Sequence, residues 1–127
     1  MLFTTILKDN GGFLRCYRKG RRVGCKEVCV HFFPNRSPYN RLGITAGKKL
    51  GNAVTRNRVK RIIRAAYRNT EKAFPIGYDI VFVGREGIAE KSSTDIEQFI
   101  NTRVIKEMNR TAAAGSAQQT DRNETKK

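Results

Sequence analysis

Three residues invite a chemical reading first: Cys25, Cys29 and His31, spaced C-x3-C-x-H. Thiolate and imidazole are zinc ligands, but a structural zinc site takes four, and no fourth protein ligand lies nearby in the sequence. Cysteines within a strand are ordinarily small buried hydrophobes. His31 has no neighbouring nucleophile or orienting carboxylate that would make it a general base. Asp79 and Glu86 flank an apolar run without forming an acid–base pair. No catalytic residue and no protein metal site is therefore assigned. The chemistry that stands out is electrostatic. The stretch KKLGNAVTRNRVKRIIRAAYR, Lys48 to Arg68, carries eight Lys or Arg and no acid before Glu71. The whole chain holds 26 basic against 11 acidic residues, a net charge of +15. Self-repulsion on that scale opposes compaction and favours a polyanionic partner. Nucleic acid is the leading candidate, with an anionic membrane surface second.

The elements that must position these cations follow from periodicity. Asn52 to Thr70 reads as a long helix. With Asn52 at zero and about 100° per residue, Val59, Ile62, Ile63, Ala66 and Tyr67 fall on one arc, roughly 280° through 0° to 60°. Asn57, Lys60, Arg61, Arg64 and Arg68 fall between about 80° and 180°, an unbroken polar ridge. Core face and charged face thus separate by geometry. Arg56 falls near 40°, inside the apolar arc, and Arg58 near 240°, on its other border. A solvated face with arginine stems lying over the core is the plain alternative, but it leaves the repulsion uncompensated. Just before the helix, Gly47 and Gly51 bracket Lys48, Lys49 and Leu50. Backbone N–H groups at a helix N-terminus favour a phosphate, although G-x-x-x-x-G-K-[ST] is absent.

The remaining elements are coarser. NGGFLRCYRKG places Phe13, Cys16 and Tyr17 at helical spacing, with Gly20 as a stop. Glu27–Phe33 reads as a strand ended by Pro34, and Arg41–Gly47 as a second, with Leu42, Ile44 and Ala46 on one face. Tyr78–Gly84 is a strand whose apolar run is continuous from Ile80, and hence a central one. A last amphipathic helix buries Ile96, Phe99, Ile100, Val104 and Met108, with Thr94 and Glu97 as its capping box. The order α-β-β-α-β-α makes an α+β class α-β sandwich, with parallel strands around a crossover helix whose usual hand is right. Residues 1–110 form one domain, and 111–127 read as a disordered tail. No stretch approaches the roughly 20 apolar residues of a bilayer span, and an odd cysteine count without a signal peptide points to reduced thiols. The expectation is a soluble, cytoplasmic protein.

RLGITAGKKLGNAVTRNRVKRIIRAAYR resembles the signature of the bacterial ribonuclease P protein component. Its centre is Arg56-Asn57-Arg58, preceded by K-K-x-G-N-A-V and followed by V-K-R-x-x-R; looser similarity extends through LKDNGGFLRCYRKG and YDIVFVGR. The resemblance implies an α-β sandwich with a left-handed β-α-β crossover, against the usual hand. It implies the protein subunit of an endoribonuclease whose catalytic subunit is RNA and which removes the 5′ leader of precursor tRNA. The implied partners are ribonuclease P RNA and precursor tRNA, with no membrane and no obligate protein partner. Mg²⁺ is the implied cofactor, bound mainly by the RNA. Carried over by position, Lys48, Lys49, Arg56, Asn57, Arg58, Lys60, Arg61, Arg64 and Arg68 contact RNA, and Phe13, Tyr17 and His31 line a leader cleft. For Phe13 and Tyr17, core packing at i, i+4 stays open beside that role. The apolar MLFTTILK departs from the family's basic N-terminus, and His31 stands where a cleft aromatic is common. A general RNA-binding or ribosome-associated protein is the alternative. A helix-turn-helix DNA reader fits poorly, since the basic helix follows a strand, and an autonomous nuclease lacks catalytic groups.

Overall fold

The computed structural model describes residues 1–118, with side chains described through 111. In chain order the elements are β1 (Thr4–Ile6), α1 (Asn10–Lys19), β2 (Arg21–Gly24), β3 (Val28–Pro34), β4 (Asn40–Thr45), α2 (Ala53–Thr70), β5 (Tyr78–Gly84), α3 (Ser93–Phe99) and α4 (Ile105–Gln118). Short 3-10 turns occur at Lys48–Leu50, Glu71–Ala73 and Ile88–Glu90, and a π turn at Ile100–Val104 joins α3 to α4. No helix among the described residues is long and apolar enough to cross a membrane.

The five strands form one mixed sheet in the order β1-β4-β5-β3-β2. β5 occupies the centre, as its uninterrupted apolar run requires: both of its faces are covered. It pairs in parallel with β4, across the α2 crossover, and antiparallel with β3. Alternation then sorts its side chains. Ile80 and Phe82 join Val30, Phe32 and Leu42 in a core covered by Val59, Ile63, Ala66 and Tyr67 of α2 and by Ile96, Phe99, Ile100, Val104 and Met108. Val81 faces the other way, into a smaller cluster with Leu7 and Cys16, with Phe13, Phe33 and Val83 packed against it. α1 therefore covers one face of the sheet and α2 to α4 the other.

Several expectations need correction. β1 and β2 were not foreseen; they are three- and four-residue edge strands, too short for a period to register. Pro34 ends β3 from within, opposite Tyr78. This is tolerated because β2 reaches only as far as Phe32, leaving Pro34 without a strand on its other side. The capping box is Ser92 and Asp95, not Thr94 and Glu97: the Ser92 hydroxyl accepts from the Asp95 N–H, and the Asp95 carboxylate accepts from the Ser92 N–H. The N-cap lies two residues earlier than the predicted one. α4 continues through Gln118, into the segment expected to be a tail, where three alanines favour helix; residues 119–127 lie outside the described residues.

The N-terminus is tied down by a group that composition does not reveal. Glu71, at the end of α2, is buried. Its carboxylate accepts from the Leu2 and Phe3 N–H groups (2.9 and 3.0 Å) and from the Thr4 hydroxyl (2.6 Å), which also meets the Tyr67 hydroxyl at 2.8 Å. Burial by itself would push this carboxyl's pKa up. The hydrogen bonds from Thr4, Leu2 and Phe3 outweigh it and hold the pKa below the ordinary value.

Candidate nucleic-acid interface

α2 begins where Asn52 caps it, its side-chain oxygen accepting the Thr55 N–H at 3.0 Å. Gly51, at φ +133°, makes the turn out of the preceding 3-10 segment, a backbone angle L side chains avoid. From there the helix presents the two faces the wheel separates. Val59, Ile63, Ala66, Tyr67 and Thr70 are buried; Asn57, Arg58, Arg61, Arg64 and Arg68 are exposed; Lys60 is half-buried. Ile62, on the border of the arc, is half-buried rather than a core residue, and Val54 is 74 % exposed. Val54 falls near 200° on the same wheel, within the polar side.

The cations of α2 are not neutralised within the chain. The ion pairs among the described residues join Arg41 to Asp9 and Asp79, Lys91 to Glu27, and Arg110 to Glu107. None involves α2. Lys60, Arg64 and Arg68 form an i, i+4 row with steps of roughly 6 Å along the axis. Arg56 is half-buried, and its Nε is buried without a hydrogen-bond partner. An unpaired buried donor costs about 1–3 kcal/mol.

A groove opens beside the 3-10 turn that precedes this helix, between the ends of β4 and β5. Lys48 and Lys49, exposed on their 3-10 turn, line it together with Lys26, Thr45, Val83, Arg85 and one acid, Glu86. On the α1 face of the sheet stands Tyr17, 40 % exposed. Its ring meets His31 edge to face at 5.0 Å and Phe13 at 6.4 Å, and its hydroxyl lies 3.4 Å from the Thr45 hydroxyl. Phe13 is half-buried over Gly43, where a Cβ would lie 2.6 Å from the ring. Tyr17 is thus a surface aromatic, while Phe13 belongs partly to the floor.

Register builds the environment of His31. Arg22 of β2 lies directly opposite it, and its Nε donates to the Cys29 sulfur at 3.2 Å. Burial first, and then the charges of Arg22 and Arg85, hold the imidazole pKa below its ordinary value. His31 is therefore neutral at neutral pH, one ring nitrogen a donor and the other an acceptor. Cys29 and His31 share this face, their sulfur and Nε2 3.7 Å apart. Cys25 packs against the core on the opposite side, so the three candidate ligands do not converge. Cys16, beneath α1, has its pKa pushed up to about 12 by burial and by the nearby Asp79, leaving an inert thiol.

Sequence reasoning missed Arg22, Lys26 and Arg85. GRRVGCK carries the charge, but only the β2–β3 register brings Arg22 to His31, and only the end of β5 brings Arg85 alongside. Lys48 and Lys49 stand together in the groove, while the α2 cations line the exposed face of their own helix.

The family model described as Ribonuclease P matches residues 3–113. Among curated relatives, the ribonuclease P protein component of Clostridioides difficile is 38 % identical over 102 residues, covering 80 % of this chain and 90 % of that protein. The one from Clostridium botulinum strain Loch Maree is 40 % identical over 95 residues, covering 74 % and 86 %. Among solved structures, the Staphylococcus aureus RNase P protein superposes with a TM-score of 0.67 at 28 % identity, covering 88 % of this chain and 96 % of that one. The Thermotoga maritima RNase P protein gives 0.68 at 27 %, covering 83 % and 96 %.

Proposed function

The chain belongs to the ribonuclease P protein family, and from that premise we propose that it helps a catalytic RNA remove the 5′ leader from precursor tRNA. The observation that carries this reading is the unneutralised cation row of α2 together with a Lys- and Arg-bearing groove whose Thr45 adjoins the exposed ring of Tyr17. The row is suited to the ribonuclease P RNA. Lys60, Arg61, Arg64 and Arg68 meet phosphates, and such contacts hold a duplex or folded RNA without reading its sequence. Arg56 is half-sunk beside the core, and a phosphate oxygen would satisfy its orphaned Nε.

The groove is suited to the single-stranded leader. Lys48, Lys49 and Arg85 attract its phosphates while Tyr17, backed by Phe13 and His31, offers a face on which an unstacked base rests. Stacking tolerates any base, which fits an enzyme that must accept many leaders. Mg²⁺ completes the proposal as the RNA's ion, supplying a Lewis acid for phosphodiester hydrolysis. The protein's own donors do not fit it here: both Asp79 oxygens are taken by Arg41, one also by Asn35, and the groove sets Lys26, Lys48, Lys49 and Arg85 around its single carboxylate, Glu86. No step is therefore drawn through a protein-bound metal.

The test is reconstitution. The protein alone should leave precursor tRNA intact; with ribonuclease P RNA and Mg²⁺ it should give cleavage at the leader junction, at lower salt and metal than the RNA needs alone. Cleavage by rigorously RNA-free protein would overturn the division of labour.

A further inference from the structure

α1 has two flanks, and the leader groove uses one of them. With Gly12 at zero, Cys16 falls near 40° and faces the sheet, Phe13 and Tyr17 fall at about 100–140°, and Arg15 at about 300°, on the other side. Against that other side lies a second groove, lined by Arg15, Phe33, Asn35, Arg36, Arg41 and Asp79. We propose that this groove is a second binding site for single-stranded RNA, separate from the leader groove and gripping a phosphodiester between Arg15, Arg36 and Arg41. The proposal rests on the protein working on RNA, but on different residues.

The groove's own acid does not oppose an anion. Asp79 is 1 % exposed. Its two oxygens accept from Arg41 Nε and Nη2, both at 2.7 Å, and from Asn35 at 3.0 Å. This fork holds the Arg41 guanidinium in one plane and leaves Nη1 as its outward end, 3.7 Å from Asp9 at the start of α1. A buried carboxylate that fixes a half-exposed guanidinium pre-orders it for a second, bidentate-seeking anion. Asn35 also sets Arg36: its side-chain oxygen accepts the Ser37 N–H at 2.9 Å, holding the turn on which Arg36 stands.

A strand staple between β4 and β5 accounts for Arg41 and Asp79, which are register partners. It does not account for Arg15 and Arg36, which converge on the same groove and form no ion pair among the described residues. Phe33, half-buried on the floor, adds the apolar face a base requires and an acidic peptide does not.

The full-length chain, labelled with ¹⁵N, is titrated with a single-stranded RNA tetramer. Two groups of amides should shift, one around Tyr17 and His31, the other at Phe33–Ser37. Tyr17→Ala should weaken the first group alone. The double variant Arg15→Glu/Arg36→Glu, checked for an unchanged thermal melt, should weaken the second at least tenfold and spare the first. Losing the grip on that phosphodiester should also flatten the log–log salt dependence there by about 0.7, the contribution of one phosphate on a single strand. Unmoved Phe33–Ser37 amides while the first groove saturates would overturn the second site. So would equal shifts with a glutamate-rich peptide, which would reassign it away from RNA. Loss of the first group alone, in the parent protein, would instead count against the leader groove and leave this site standing.

Discussion

Gly43 gives the sharpest test of how the aromatic floor is built. It lies within β4, buried beneath α1. A Cβ placed there would stand 2.6 and 2.7 Å from Phe13 Cζ and Cε1, but 3.5 Å from Leu7, an ordinary contact. Carbon atoms pack at about 3.5–4.0 Å, so Gly43→Ala drives the Phe13 ring outward by roughly 1 Å. Overpacking of this kind costs about 1–3 kcal/mol. The overlap involves one ring, so the cost should vanish when the ring is removed. Against a Phe13→Ala background, Gly43→Ala should be neutral or slightly stabilising, since alanine in a strand relieves the glycine entropy cost of about 0.5–1 kcal/mol. Urea melts of the parent, both single variants and the double variant measure the coupling directly. A coupling energy near 1 kcal/mol or more, with unchanged m-values, is the expected result. If Gly43→Ala costs the same with and without Phe13, the ring is not seated on Gly43, and the described floor of the groove is wrong.

Other outcomes follow from the same geometry. Arg56→Ala and Arg58→Ala should weaken binding to ribonuclease P RNA with the fold intact, while Ile63→Ala, at a fully buried site, should cost about 2–5 kcal/mol in a urea melt; arginine variants that unfold as readily would make those side chains structural. Tyr17→Ala should lower affinity for precursor tRNA by a stacking contribution of roughly 1–3 kcal/mol and spare mature tRNA; equal binding of both forms by the variant and the parent would remove Tyr17 from the leader site. Glu71 has its carboxyl pKa held below the ordinary 4.5. Its contribution to stability is therefore complete above pH 4.5 and is lost as pH falls through the lower folded value. Glu71→Gln should flatten the acid limb of a stability-against-pH curve, and an unchanged limb would show that the N-terminal clamp does not titrate.

The divided faces of α2 were legible in the sequence because a helix repeats every 3.6 residues whatever surrounds it. The spacing of Val59, Ile63, Ala66 and Tyr67 alone says which side is buried, and so which side carries the cations. The central place of β5 was legible for a similar reason, since its run of apolar residues from Ile80 to Val83 must be covered on both faces. The aromatic pair on α1 was visible as a spacing, but the sequence left core and cleft equally open. The structure separates them, because Gly43 admits the Phe13 ring while Tyr17 lies over Thr45 and His31. β1 and β2 exist only because β4 and β3 offer them partners. Glu71 holds Leu2 and Phe3 from nearly 70 positions away, and Arg41 meets Asp79 across 38. Local patterns encode local geometry. Which charge meets which carboxylate, and which arginine flanks His31, depends on sheet order and register, and those are set by the whole chain packing at once.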